Sequence, residues 1–266
     1  MSEPRSVLTI AGSDSSAGAG LQADLKTFAA FGVYGTSAVT AITAQNTAGV
    51  IESVALPADL VTAQIEAVAA DIALHATKTG MLATAAIVEA VAAAIKELEL
   101  PLVVVDPVMV SKSGAMLLDR DGVEMLKTEL LPCAAIVTPN IPEAETLSGR
   151  RIESIEQARA AAAEILQLGA AAVVITGGHM PGETLVDLLF DGGIYTELQA
   201  SRIYSQHTHG TGCTFASAVA ANLALGHSLV DSVLHAQAYV RGAIEHAQPI
   251  GQGHGPLNHF WRSTIG

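Results

Sequence analysis

The chain has 266 residues, half of them hydrophobic and 15% charged, with a mean hydropathy of +0.42, which excludes an intrinsically disordered chain and leaves ample material for a core. Thirteen basic residues against 26 acidic ones leave a net charge of −13, a repulsive field that counts against nucleic acid as a partner. No apolar segment reaches the roughly 18–20 residues that span a bilayer, and the start MSEPRSVLTIAGSD lacks the pattern of a secretory signal, so a soluble, cytoplasmic protein with no membrane partner is expected.

In chain order, SVLTIAG reads as a buried strand, LQADLKTFAAFG as an amphipathic helix and SAVTAIT as a second buried strand, a βαβ unit. A helical stretch over 59–75, a short strand at 78–81, an Ala-rich helix over 84–99 and the strand LVVVDPV follow. Next come a helical segment near 122–130, the strand AAIVTP, a helix over 155–168 and the strand AAVVIT, ending at Gly177-Gly178. TLVDLLF and IYTELQ flank Asp191-Gly192-Gly193 as an edge hairpin. Residues 211–226 and 229–247 read as two Ala-rich helices before a Gly-rich tail at 250–256. With no linker and no fixed-period repeat, the expectation is one α/β domain over 1–266, layered α/β/α around a mostly parallel central sheet. In such sheets ligands bind beyond the carboxyl ends of the strands.

The residues that follow the strands are therefore the candidates. Within the small-residue loop 12–20, Gly18, Gly20 and Ala23 satisfy a G-x-G-x-x-A pattern. The second strand, however, ends Ala44-Gln45-Asn46-Thr47, without the acid that NAD binding wants. No Gly-Lys dipeptide occurs, which excludes a P-loop. His209-Gly210-Thr211-Gly212-Cys213-Thr214 turns from loop into helix, where free amides and the helix dipole converge on an anion. There the dipole lowers the pKa of Cys213 from about 8.5 and favours a thiolate; equally, Cys213 reads as a small packing residue beside turn-forming glycines. Asp106 ends an apolar strand, a costly place for a carboxylate without a partner. Asn140 and Glu143, three apart at a helix start, read as a capping pair and as one side of a site. Ser111-Lys112-Ser113-Gly114 reads as a mobile flap or as a solvated loop. His207, His209, His254 and His259 show no convergent metal spacing, nor do Cys133 and Cys213, which are expected as free thiols. Trp261 and Phe260 are expected to pack the C-terminal tail.

GSDSSAGAGLQADLKTF, the strand end AITAQNT, KTGML, DPVMVSKSG, TPNIPEAE, the GGH turn and HTHGTGCT occur in that order. From residue 6 to about residue 260 this series resembles the hydroxymethylpyrimidine kinase/hydroxymethylpyrimidine phosphate kinase family of thiamine biosynthesis, which has the ribokinase-like fold. The resemblance implies ATP-dependent phosphorylation of 4-amino-5-hydroxymethyl-2-methylpyrimidine and then of its monophosphate, both at one site, with Mg²⁺ as cofactor, in a homodimer. It implies pyrimidine contacts at Gly12, Asp24, Gln45, Met81 and Val108, with Gln45 suited to an amino-pyrimidine edge because it both donates and accepts. It makes Gly210, Thr211, Gly212 and Cys213 the anion hole, with Cys213 the base. Asp106, Asn140 and Glu143 fall on the nucleotide-phosphate side, Asp106 and Glu143 as water-mediated Mg²⁺ ligands. Where relatives often carry Lys, this chain has Thr176 and Gln252, and no lysine follows Lys127; the missing charge must come from Mg²⁺, backbone N–H groups or an arginine. The competing readings are a pyridoxine or pyridoxal kinase of the same superfamily and a non-catalytic pyrimidine or nucleotide binder.

Overall fold

Short runs of Val, Ile, Ala and Thr bury both of their faces and so stack as the inner strands of a covered sheet. The computed structural model describes residues 4–111, 114, 116–179 and 182–263. Among them the strands are β1 (Ser6–Ser13), β2 (Tyr34–Asn46), β3 (Gly49–Ala55), β4 (Ala76–Thr79), β5 (Val103–Val105), β6 (Ile136–Val137), β7 (Val173–Ile175), β8 (Thr184–Phe190) and β9 (Tyr195–Ser201). They form one sheet in the order β3-β2-β1-β4-β5-β6-β7-β8-β9. Every pairing from β2 to β7 is parallel, whereas β3 at one edge and β8 and β9 at the other pair antiparallel.

The helices are α1 (Gly20–Ala30), α2 (Ala58–Ala69), α3 (Ala85–Glu97), α4 (Arg120–Met125), α5 (Ile141–Ser148), α6 (Ile155–Gln167), α7 (Thr211–Ala224) and α8 (Leu229–Glu245). Alternate strand residues feed two cores. Leu8, Ile10, Val105, Val137 and Ile175 pack with residues of α2, α3 and α6, while Val7, Val104, Ile136 and Val174 pack with α7 and α8. This two-sided burial is why the strand segments read as continuous apolar runs rather than as alternating ones.

Four local readings change. β3 was not among the expected strands, because most of its residues are exposed and no apolar period marks it. The helical reading over 59–75 stops at Ala69, where Ile72 N–H closes onto Val68 O and the chain turns toward β4. The strand expected at 78–81 lies two residues earlier, which leaves Gly80 and Met81 beyond its carboxyl end. In the tail, Trp261 packs as expected, donating to Tyr239 O at 3.2 Å and stacking on His246, but Phe260 is 41% exposed. Both cysteines are free thiols.

Candidate active site

A cavity of ≈ 720 Å³ opens across the carboxyl ends of the parallel strands, between the loops after β1, β4, β5 and β6 and the start of α7. Of the residues singled out above, Gly12, Gln45, Met81, Val108, Asp106, Asn140, Glu143 and the whole run Gly210–Cys213 line it. Residues more than a hundred positions apart in the chain thus converge because the last residues of β1 and β2, the segments after β4, β5 and β6 and the start of α7 meet on one side of the sheet.

Irregularities at the strand ends position two of these residues. The β1–β2 register shifts between Ala11 and Ser13, at Gly12, whose N–H donates to Met81 O at 3.1 Å. A Cβ at Gly12 would lie 2.2 Å from Met81 Cε, so the absence of a side chain lets Met81 lie across the cavity floor. The β2–β3 register shifts between Ala44 and Gln45, and such a bulge re-aims the side chain that follows it. The Ser15 hydroxyl clips this point by donating to Gln45 O and accepting from Gln45 N–H, each at 2.8 Å.

Asp24 corrects the expectation of a pyrimidine contact. It is fully buried on α1 and absent from the cavity lining, and its carboxylate accepts hydrogen bonds from Thr9 Oγ1 and Ser217 Oγ at 2.6 Å and from Lys78 Nζ at 3.0 Å. Lys78, also fully buried, lies 3.7 Å from Asp106 Oδ2. Burial opposes the charge on this lysine, but the charge and hydrogen bond of Asp24 outweigh it and raise the ammonium pKa. The ion pair therefore stands one layer behind the site and links α1, β4 and α7.

α7 begins at Gly210, whose φ of 84° is left-handed, and no side chain caps the helix. A Cβ at Gly210 would fall 1.9 Å from Gly18 O, so glycine is required both for the turn and for the contact with the loop after β1. The first-turn amides of a helix have no intrahelical acceptor; Thr211 N–H turns back to Thr208 O at 3.4 Å, while Gly212 and Cys213, which carry the next two, line the cavity with it. A helix start of this kind is suited to an anion.

The dipole does not decide the state of Cys213. Burial, aided by the charges of Asp106 and Asp24, pushes its thiol pKa up, against the pull of Lys78. In the absence of ligand the sulfur therefore carries its proton, contrary to the thiolate expected from helix position. Burial also raises the pKa of Asp106. Asn140 and Glu143 form a complete capping box on α5: Asn140 N–H donates to Glu143 Oε2 at 2.9 Å and Glu143 N–H to Asn140 Oδ1 at 3.0 Å. Burial and the neighbouring Asp106 charge lift Glu143 to about 8, so capping and a place at the cavity coexist. Asp106 Oδ2 is buried without a hydrogen-bond partner. Two carboxylates held against ionisation, one with an orphaned oxygen, fit a divalent cation bound partly through water.

Thr176 lines the cavity beside Asn140, whereas Gln252 is exposed outside it. A cationic side chain at the wall comes instead from Arg202, which follows β9 and donates to Gly178 O at 3.0 Å and Gly182 O at 2.7 Å. No strand-end pattern pointed to it. Of the Ser111–Gly114 segment, Ser111 lines the cavity, while Lys112 and Ser113 lie outside the described residues. His259 is buried near Thr214 Oγ1, at 3.0 Å from Nε2, and His209 faces Asp14.

A family model for phosphomethylpyrimidine kinase matches residues 14–258. The chain belongs to this family. It is 48% identical over 254 residues to the hydroxymethylpyrimidine/phosphomethylpyrimidine kinase of Bacillus subtilis, covering 95% of this chain and 94% of that one. It is 51% identical to the thiamine biosynthesis bifunctional protein ThiED of Geobacter sulfurreducens, where the match covers 96% of this chain and 52% of ThiED, about half of that protein. Among solved structures, the pyridoxal kinase of Staphylococcus aureus in complex with AMP-PCP and pyridoxal superposes with a TM-score of 0.91 at 38% identity, covering 99% of this chain and 96% of that one. The phosphomethylpyrimidine kinase of Clostridium difficile 630 gives a TM-score of 0.81 at 44% identity, covering 90% and 99%. The fold is ribokinase-like, and the chain is a kinase.

Proposed function

We propose that this cavity phosphorylates 4-amino-5-hydroxymethyl-2-methylpyrimidine with ATP, and then its monophosphate, at a single site for thiamine biosynthesis. The observation that carries the reading is the uncapped start of α7, which brings backbone amides and Cys213 into the same cavity as Gln45, Met81 and the carboxylates Asp106 and Glu143. Phosphoryl transfer asks chiefly for alignment and for neutralisation of charge on the migrating group.

In this reading Met81 and Val108 bracket the ring, Gly12 leaves room for Met81, and Gln45 addresses the amino-pyrimidine edge. The amides of Gly212 and Cys213 hold the oxygens of the transferring phosphoryl group beside Gly210 and Thr211, where donors placed in advance stabilise developing charge. Cys213 Sγ takes the hydroxymethyl proton once the thiol's own proton has left to solvent in the cavity it lines. Asp106 and Glu143 would hold Mg²⁺, Asn140 would line the phosphate side, and the ion when bound neutralises phosphate charge. Arg202 adds a cation on the wall near Thr176. Asp24 acts from behind the wall, through Lys78. The chain works as one kinase domain in the cytoplasm, and the exposed apolar Ile42, Ile51 and Val54 on β2 and β3 support a homodimer.

The test is incubation with Mg-ATP and the pyrimidine alcohol, with products followed by mass. Both the mono- and the diphosphate are expected, with a higher kcat/KM for the pyrimidine alcohol than for pyridoxal. Binding without ADP release, or a preference for pyridoxal, would overturn the assignment.

A further inference from the structure

His209 stands immediately before the anion-hole loop, yet its ring is held by the opposite loop. Asp14, 3% exposed, is a hub: Oδ1 accepts from Ser16 N–H at 2.8 Å and Ser16 Oγ at 2.7 Å, and Oδ2 accepts from Gly18 N–H at 3.1 Å and Ala19 N–H at 2.8 Å. His209 Nε2 lies 2.8 Å from the same Oδ2. The ring lies so close on Gly18 that a Cβ there would be 2.4 Å from His209 Cδ2. Burial works to raise the pKa of Asp14, but the hydrogen bonds from His209, Ser16 and Ala19 more than offset it and hold the carboxyl at about 2. An ionised carboxylate only accepts, so His209 Nε2 carries the hydrogen between them.

The same Nε2 lies 3.3 Å from Gln45 Nε2, and Gln45 Oε1 lies 3.3 Å from Thr43 Oγ1, two positions that a flip of the amide exchanges. Hydrogen counting fixes which way that amide turns. The Thr43 hydroxyl spends its one hydrogen on Ser13 O at 2.7 Å, so toward Gln45 it can only accept. His209 Nε2 carries one hydrogen, held chiefly by Asp14 Oδ2 at 2.8 Å and shared at 3.3 Å with this amide, and it has no lone pair with which to accept an N–H. The amide oxygen therefore belongs on the His209 side and the NH₂ on the Thr43 side, with its second hydrogen left for the cavity.

We propose that His209, anchored by Asp14, is a positioning residue that fixes the Gln45 amide to present an N–H to the cavity, and so sets a preference for rings with a nitrogen acceptor at that edge. This rests on the reading of Gln45 as the residue that addresses the substrate ring, and it adds the element that orients it.

A double-mutant cycle tests it. His209→Ala and Gln45→Ala are each expected to raise KM for the pyrimidine alcohol about tenfold and to move KM for ATP less than about threefold, and the double variant is expected to lose little beyond either single one. Losses that multiply to about a hundredfold would show that His209 does not act through Gln45. His209→Gln, whose amide nitrogen has two hydrogens for the same two acceptors, should restore most of the binding. Where His209→Ala does not fold, Gln45→Glu decides: it keeps an oxygen toward His209 but loses the N–H, so it should bind the pyrimidine as weakly as Gln45→Ala, and wild-type affinity would overturn the inference. An active wild type with multiplying losses refutes this inference alone; a wild type that neither binds nor phosphorylates the pyrimidine refutes the proposed function and this inference with it.

Discussion

Cys213→Ala is expected to lower kcat about a hundredfold or more while leaving pyrimidine affinity within a few fold, as loss of a general base should. The sulfur lies in the first turn of α7, at the cavity and beside Asp106 and Lys78. Alanine keeps the backbone amides that bind the phosphoryl group and removes only the group that takes the hydroxyl proton. The raised thiol pKa sharpens the test: the sulfur must shed its proton before it accepts another, so its environment belongs to the mechanism. Steady-state kinetics with an independent binding titration separates the two quantities, and an unchanged kcat would show that Cys213 is not the base. Cys213→Ser is a weaker probe, because hydroxyl and thiol differ in acidity and size.

Lys78→Met should destabilise the fold by about 3–5 kcal/mol, the range for removing one partner of a buried ion pair. Methionine fills much the same space but leaves Asp24 and Asp106 without the cation that lies between them at 3.0 and 3.7 Å. Asp24 keeps its hydrogen bonds from Thr9 and Ser217, so the loss is chiefly that of uncompensated charge. Adding Asp24→Asn to Lys78→Met should therefore recover part of it, since the two residues share one network. Urea unfolding of the wild type and the two variants measures this; a Lys78→Met loss below about 1 kcal/mol would contradict the assigned role of the pair.

How much of this was legible beforehand follows from what each residue touches. β1, β5 and β7 are legible because both of their faces are buried; Asp106 and Gln45 are legible from their places at strand ends, and Gly210–Cys213 from the turn of a loop into a helix. β3 is not, because an exposed edge strand needs no apolar pattern. The sequence motif around Asp24 carries no sign of depth, so a residue on the sheet-facing side of α1 read as a ligand contact when it is a buried partner of Lys78. The two readings of Cys213 stay open in the sequence for a related reason: helix position is visible there, whereas the burial that raises its thiol pKa is not. The sequence places His209 at the head of the His209–Thr214 loop but gives its ring no role, since its partner Asp14 stands 195 positions away. Arg202 carries no such sign, because it follows an antiparallel edge strand and has neither a buried strand before it nor a glycine-rich turn around it.

The central claim is that main-chain amides at the start of α7 receive the transferring phosphoryl group. A crystal structure of the ternary complex with a non-hydrolysable ATP analogue and the pyrimidine alcohol tests it most directly. The expected result places the terminal phosphate oxygens about 3 Å from the amide nitrogens of Gly212 and Cys213, with the substrate hydroxyl between Cys213 Sγ and the phosphorus. A terminal phosphate bound elsewhere in the cavity, out of reach of those amides, would contradict it.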